Sequence, residues 1–119
     1  MKKILVVEDD EVERELVRMT LEREGYRVVT AEDGARGFEL AMAERPDLII
    51  TDVAMPAADG VALVRSVRSA PEVAATPILV TTGFGTGSAT YTLAQGADAY
   101  EPKPLDPAAL RESVRRLLG

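Results

Sequence analysis

Five short β-type runs recur along the chain at near-regular intervals: Ile4–Val7, Arg27–Thr30, Leu48–Thr51, Ile78–Thr81 and, more weakly, Ala99–Glu101. The first, third and fourth are continuously apolar rather than alternating, the pattern of strands covered on both faces. Between them the apolar residues take helical spacing. Val12, Leu16 and Met19 fall on one face with Leu21 beside them, opened by Asp10 and Glu13 in a capping arrangement and closed by Gly25. Ala35, Phe38, Ala41 and Met42 mark a second helix ended by Pro46; Leu63, Val64 and Val67 mark a third, opened by Asp59 and stopped near Pro71. The fourth is the weakest, because residues 83–92 hold three glycines, three threonines and a serine. A late start near Ser88, a short helix to about Gln95 and a stop at Gly96 are expected there. The last helix has Asp106 as its cap, Pro107 in the first turn, then Leu110, Val114, Leu117 and Leu118. Five strands alternating with five helices predict a doubly wound (βα)5 domain of α/β class, a parallel sheet with helices on both faces.

A length of 119 residues is one domain's worth, long enough to bury a core without a staple. No cysteine is present, so there is neither a disulfide framework nor a thiolate metal site. No histidine is present either, which excludes serine–histidine and cysteine–histidine hydrolases and the usual zinc ligand. Twenty acids against 14 bases leave a net charge of −6, which argues against direct nucleic-acid binding. The longest apolar runs are a few residues only, so no membrane insertion is expected. Ile4–Val7 runs straight into Glu8, Asp9 and Asp10, which is no signal peptide, and a cytoplasmic location is the expectation.

The polar residues gather at strand ends. Glu8, Asp9 and Asp10 directly follow the first strand and Asp52 directly follows the third; Thr82 follows the fourth and Lys103 follows the fifth. In an open parallel sheet, ligands bind beyond these carboxyl ends. Like charges brought together there repel and raise at least one pKa unless a cation offsets them. An oxygen-only donor set suits a hard ion, foremost Mg2+. Each residue alone reads as structural, and Asp10 reads as a helix cap. Asp52 does not, since the next helix begins only near Asp59, after Met55-Pro56. Burying that carboxylate beside two others without a partner would cost several kcal/mol.

Four stretches in order, Lys3–Asp10 (KILVVEDD), Pro46–Gly60 (PDLIITDVAMPAADG), Pro77–Gly83 (PILVTTG) and Gly96–Pro104 (GADAYEPKP), make the whole chain resemble a response-regulator receiver domain. The resemblance implies the flavodoxin-like, CheY-like strand order 2-1-3-4-5. It implies a Mg2+-dependent phosphorylation switch rather than an enzyme, with Mn2+ as the alternative ion. Asp52 matches the phosphoacceptor, a carboxylate nucleophile served by a sensor histidine kinase or a histidine phosphotransfer protein. Glu8, Asp9 and Asp52, with the backbone oxygen of Ala54, match the metal site. Lys103 and Thr82 match the groups that contact the phosphoryl oxygens, Thr82 and Tyr100 match the switch pair, and Lys103-Pro104 matches a cis peptide bond. The implied output surface is the fourth helix, fifth strand and fifth helix, facing a downstream effector protein or domain. A monomer or a phosphorylation-dependent dimer would both serve.

The chain departs from the family most after Thr82, where Gly83-Phe84-Gly85-Thr86-Gly87 adds backbone freedom and predicts a mobile fourth helix. Ala54 and Phe84 stand at positions that influence phosphoryl lifetime in the family. Neither offers a polar side chain to an attacking water, so slow self-dephosphorylation is expected. Pro102 removes a ladder donor from the fifth strand, which a sheet edge tolerates. Three rivals fare worse. A haloacid-dehalogenase-type phosphatase would need an acid two beyond Asp52, where Ala54 stands. A nucleotide or flavin binder built on Gly83-x-Gly85 lacks the glycine three further on, where Ser88 stands. A degenerate adaptor is at odds with the retention of Glu8, Asp9, Asp52, Thr82 and Lys103. A single receiver domain over 1–119, with no output domain in this chain, is the expectation, whether stand-alone or cut from a longer protein.

Overall fold

Among the described residues of the computed structural model, nine elements follow one another: β1 (Lys3–Val7), α1 (Glu11–Glu22), β2 (Arg27–Ala31), α2 (Gly34–Glu44), β3 (Leu48–Asp52), α3 (Asp59–Ser69), β4 (Ile78–Thr82), β5 (Ala99–Pro102) and α4 (Pro107–Leu118). The structure describes residues 1–53, 59–83 and 93–119. All strand pairs are parallel, and the sheet order is β2-β1-β3-β4-β5, as expected. The helix anticipated between Ser88 and Gln95 lies largely outside the described residues. Gly96, anticipated as its stop, has a φ of +118° and donates its amide to the Leu93 carbonyl at 3.0 Å. The helix anticipated as the fifth is α4 here. Asp106 caps it by accepting from the Ala108 amide at 3.2 Å.

β3 and β4 each run one residue past their apolar stretch, so Asp52 and Thr82 end the strands instead of following them. The ladder continues because backbone pairing does not read side-chain polarity. The Val53 amide donates to the Thr81 carbonyl at 3.0 Å, and the Lys103 amide donates to the Thr82 carbonyl at 2.8 Å. Pro102 closes β5 at the sheet edge, where its missing donor costs no ladder bond to a further strand.

Strand alternation sorts the core into two layers. Leu5, Val7, Ile49, Ile78 and Val80 pack with Leu63, Val64 and Val67 of α3 and Ala41 of α2. Ile4, Val6, Leu48, Ile50 and Leu79 pack with Val17 and Leu21 of α1 and Leu110 and Val114 of α4. Continuing the second face by two residues on β1 and β3 reaches Glu8 and Asp52, both buried. The same period of two that builds the core under α1 and α4 therefore delivers two carboxylates at its carboxyl end.

α1 corrects one expectation. Val12 is 77% exposed, and Leu16 and Met19 are exposed with it; the residues buried are Val17, Thr20 and Leu21. At 100° per residue the inward face lies about a third of a turn from the apolar stripe. Polar contacts at the helix start hold this rotation. The Arg14 guanidinium donates to the Glu8 carbonyl at 2.8 Å, and Glu13 pairs with Lys103 at 2.6 Å. Both sit on the side that Val17 and Leu21 continue into the core.

The far end of the sheet is clamped by Arg68 of α3. Its guanidinium donates to the carbonyls of Gly96, Ala74 and Thr76 at 2.8, 3.0 and 2.6 Å and to the Asp98 carboxylate at 2.8 Å. Asp98 also accepts the first amide of β4, from Ile78, at 2.8 Å.

Gly60 governs how closely α3 approaches the end of β3. A Cβ there would lie 2.1 Å from the Asp52 carbonyl oxygen and 2.7 Å from Val53 Cα, both rigid backbone. Alanine in a helix is ordinarily worth up to about 1 kcal/mol over glycine. Here overpacking must win, and Gly60→Ala is expected to destabilise by about 3 kcal/mol, read from urea unfolding. The backbone amide resonances of Asp52 and Val53 should shift most in its spectrum. Stabilisation would mean that the helix stands off the strand.

Candidate functional site

Three strands and one helix contribute to a cluster at the carboxyl edge of the sheet. Carboxylate oxygens of Glu8, Asp9 and Asp52 lie within 4.8 Å of one another, Glu8 and Asp52 buried and Asp9 exposed. Lys103, just beyond β5, reaches back across β4. Its Nζ stands 2.9 Å from Glu8 Oε1, 3.0 Å from Asp52 Oδ2 and 2.6 Å from Glu13 Oε2. The second oxygen of Glu8 accepts the Asp10 amide at 3.1 Å. An ammonium has three donors. All three are directed at carboxylates, so the ammonium sets one positive charge against the acidic cluster.

Burial pushes the Glu8 carboxyl up from 4.5 to about 8, overriding the hydrogen bonds from Lys103 and the Asp10 amide that favour its charged form. The Asp52 charge adds a smaller upward push. Repulsion between neighbouring acids therefore acts in the expected direction but ranks below desolvation. Burial works against the charged form of Lys103 as well. Its hydrogen bonds to Glu13, Glu8 and Asp52 outweigh that, and the ammonium is held well above its ordinary range. The donor set is all oxygen and already holds carboxylates in reach of one another, which fits a hard divalent ion.

The remaining described candidates lie on β4, on β5 or just beyond β5. Thr82 is buried at the end of β4 in register with Pro102, one residue before the exposed Gly83. Tyr100 lies on β5 in register with Val80 and is exposed. The Lys103-Pro104 peptide bond is cis. Ala54 and Phe84 lie outside the described residues. Glu13 and Arg14 are site residues that sequence reasoning missed. Glu13 was legible only as part of a helix cap, and nothing local ties it to a lysine 90 residues away.

A family profile described as "Response regulator receiver domain" matches residues 4–115. "Transcriptional regulatory protein CseB" of Streptomyces coelicolor is 38% identical over 115 residues, which cover 97% of this chain and 48% of that protein. Among solved structures, chemotaxis protein CheY4 of Vibrio cholerae superposes with a TM-score of 0.92 at 36% identity, over 98% of each chain. The receiver domain of sensor histidine kinase PA1611 from Pseudomonas aeruginosa, described with a magnesium ion coordinated in its active site cleft, gives a TM-score of 0.91 at 30% identity over 99% of this chain and 98% of that one. The chain belongs to the response-regulator receiver family and is a receiver domain of two-component signal transduction. It spans about half the length of curated relatives such as CseB. Among the described residues, no helix is long and apolar enough to cross a membrane.

The Glu8 shift has a consequence for stability. Unfolded, this carboxyl loses its proton near 4.5; folded and without a cation, it keeps it up to about 8. Between those values the folded chain binds more protons, so stability falls as pH rises, by at most about 1.4 kcal/mol per pH unit. Lys103 contributes in the opposite pH range, since its raised pKa carries stability that is lost only above 10.5. In EDTA, the urea midpoint should decline from about pH 5 to about pH 8, and Glu8→Gln should flatten that decline. A profile rising across the window would show that Glu8 is ionised throughout.

Proposed function

We propose that this receiver domain works as a phosphoacceptor switch, with Asp52 as the residue modified. The observation that carries the reading is Lys103 Nζ, held 3.0 Å from Asp52 Oδ2 at the edge of an acidic cluster that a hard ion fits. In the transfer, an Asp52 carboxylate oxygen forms a bond to phosphorus as the phosphorus–nitrogen bond of a phosphohistidine breaks. The donor imidazole leaves with the electron pair and takes a proton. Glu8, Asp9 and Asp52, joined by the Ala54 carbonyl, would hold Mg2+, which offsets charge on the transferring group when bound. The magnesium ion described in the cleft of the PA1611 receiver domain supports this assignment.

Lys103 supplies the other offset. It orients Asp52 beforehand and follows the phosphoryl oxygen afterwards. The Thr82 hydroxyl donates to a second oxygen. A phosphoryl group brings nearly two negative charges and three acceptor oxygens. Drawing Thr82 towards it reshapes the chain beyond β4 and makes room for Tyr100 to turn inward from its exposed position. A hundredfold shift between the two conformations corresponds to about 2.7 kcal/mol, within reach of two charge-assisted hydrogen bonds. The donor is a sensor histidine kinase or histidine phosphotransfer protein in the cytoplasm. The reader is an effector protein or domain docking on the face that carries β5 and α4. The name of the relative CseB supports transcription control as the output of the whole protein.

Acetyl phosphate with Mg2+ should add one phosphoryl increment to the intact mass of the wild-type chain. Asp52→Asn should abolish the increment, and EDTA should suppress it. An increment that survives in Asp52→Asn would assign the modification to another residue. None in the wild type, even with a histidine phosphotransfer donor, would leave a domain that signals without phosphorylation.

A further inference from the structure

The phosphoacceptor switch gives Glu13 no part. It lies in the first turn of α1, outside the acidic cluster, yet makes the shortest contact with Lys103: 2.6 Å, against 2.9 Å for Glu8 and 3.0 Å for Asp52. It is also the most hydrated of the three, its side chain 38% exposed against 6% for Glu8 and 4% for Asp52.

A second observation separates this contact from ordinary helix capping. In a complete capping box, the acid at the third helical position reaches back to the cap residue's amide while the cap side chain takes its amide in exchange. Only half of that exchange is present. The Asp10 carboxylate accepts the Glu13 amide at 2.8 Å, but the Asp10 amide donates to Glu8 Oε2 at 3.1 Å. The Glu13 carboxylate is thereby released from its local partner and turned to Lys103.

We propose that Glu13 is a positioning residue for Lys103, holding the ammonium at the outer side of the site and competing with the phosphoryl group for it. The inference rests on the phosphoacceptor reading. All three donors of the ammonium are engaged, so an arriving phosphoryl oxygen must displace one acceptor. Glu8 is buried and would lose its partner without gaining water. Asp52 is the attachment point. Glu13 can return to solvent at least cost, and its charge lies beside a group that brings nearly two more negative charges. Before transfer, the same contact takes up one of the three donors of the ammonium and part of its charge, which leaves Glu8 and Asp52 less compensated and the cluster more attractive to a divalent ion. Glu13 thus favours the cation and opposes the phosphoryl group.

Those two effects have opposite signs, which gives the test. Glu13→Gln keeps the shape and removes the charge. With the wild type and Glu13→Gln, Mg2+ affinity is measured by calorimetry on the unmodified chain. Affinity for beryllofluoride, a phosphoryl stand-in, is measured by fluorine NMR at saturating Mg2+. Glu13→Gln should bind Mg2+ about two- to threefold more weakly and beryllofluoride about three- to tenfold more tightly, the range of a partly exposed charge-assisted pair. Glu11→Gln, an acid of the same helical turn without a contact to Lys103, should change neither, and thermal melting should show all three chains folded. Weakening of both ligands by Glu13→Gln would mean that Glu13 only supports the helix start and would overturn the proposal. So would an unchanged beryllofluoride affinity, or equal shifts in Glu11→Gln. If the wild type itself fails to bind beryllofluoride, the phosphoacceptor reading falls first, and that outcome is distinct from the others.

Discussion

The site depends on one ammonium. Without Lys103, the buried carboxylates of Glu8 and Asp52 and the neighbouring Asp9 and Glu13 would face one another with no positive charge among them. Acids in that arrangement either take up protons or move apart. Lys103 lets them stay, and the geometry around it follows from that demand. α1 is rotated so that Glu13 meets the lysine, Arg14 fastens the same turn to the end of β1, and the edge strand β5 ends where Lys103 can reach back across β4. The compensation is incomplete, since burial still pushes the Glu8 carboxyl up to about 8. That residual imbalance is what a divalent ion would offset in the proposed switch.

The sheet supplies the scaffold by simple alternation. Ile4 and Val6, then Leu48 and Ile50, form the layer beneath α1 and α4, and two residues further along each strand stand Glu8 and Asp52. Position is therefore inherited from the hydrophobic core, whose packing is far stiffer than any loop. Gly60 adds a second constraint, because only the absence of a side chain lets α3 lie against the Asp52 backbone. Arg68 ties the opposite end of α3 to the segments entering β4 and β5. The conformational change proposed for Thr82 and Tyr100 would thus occur between two fixed ends.

The sequence is most legible where a pattern is local. The continuous apolar runs of β1, β3 and β4 announced buried parallel strands, and Asp106-Pro107 announced the start of the last helix. It misleads where two faces of one helix compete. Val12, Leu16 and Met19 make the better stripe on paper, yet Val17 and Leu21 are buried, because contacts at residues 13 and 14 set the rotation. Arg68 and Glu13 carried no local sign of their roles. An arginine near a helix end and an acid in a first turn are both ordinary surface residues until distant partners are brought to them.

By itself, the sequence determined the class of fold and the chemical kind of site. Periodicity, turn residues and the absence of histidine and cysteine act over short stretches, and the four family stretches carried Glu8, Asp9, Asp52, Thr82 and Lys103 in order. Only the tertiary structure decided which charges share one cation, which face of α1 turns inward, and that Glu13 gives up half of its capping exchange for Lys103. The physical reason is range. Hydrogen-bond and ion-pair energies depend on distances of about 3 Å, and residues 13, 52 and 103 come that close only when strands far apart in the chain pair side by side.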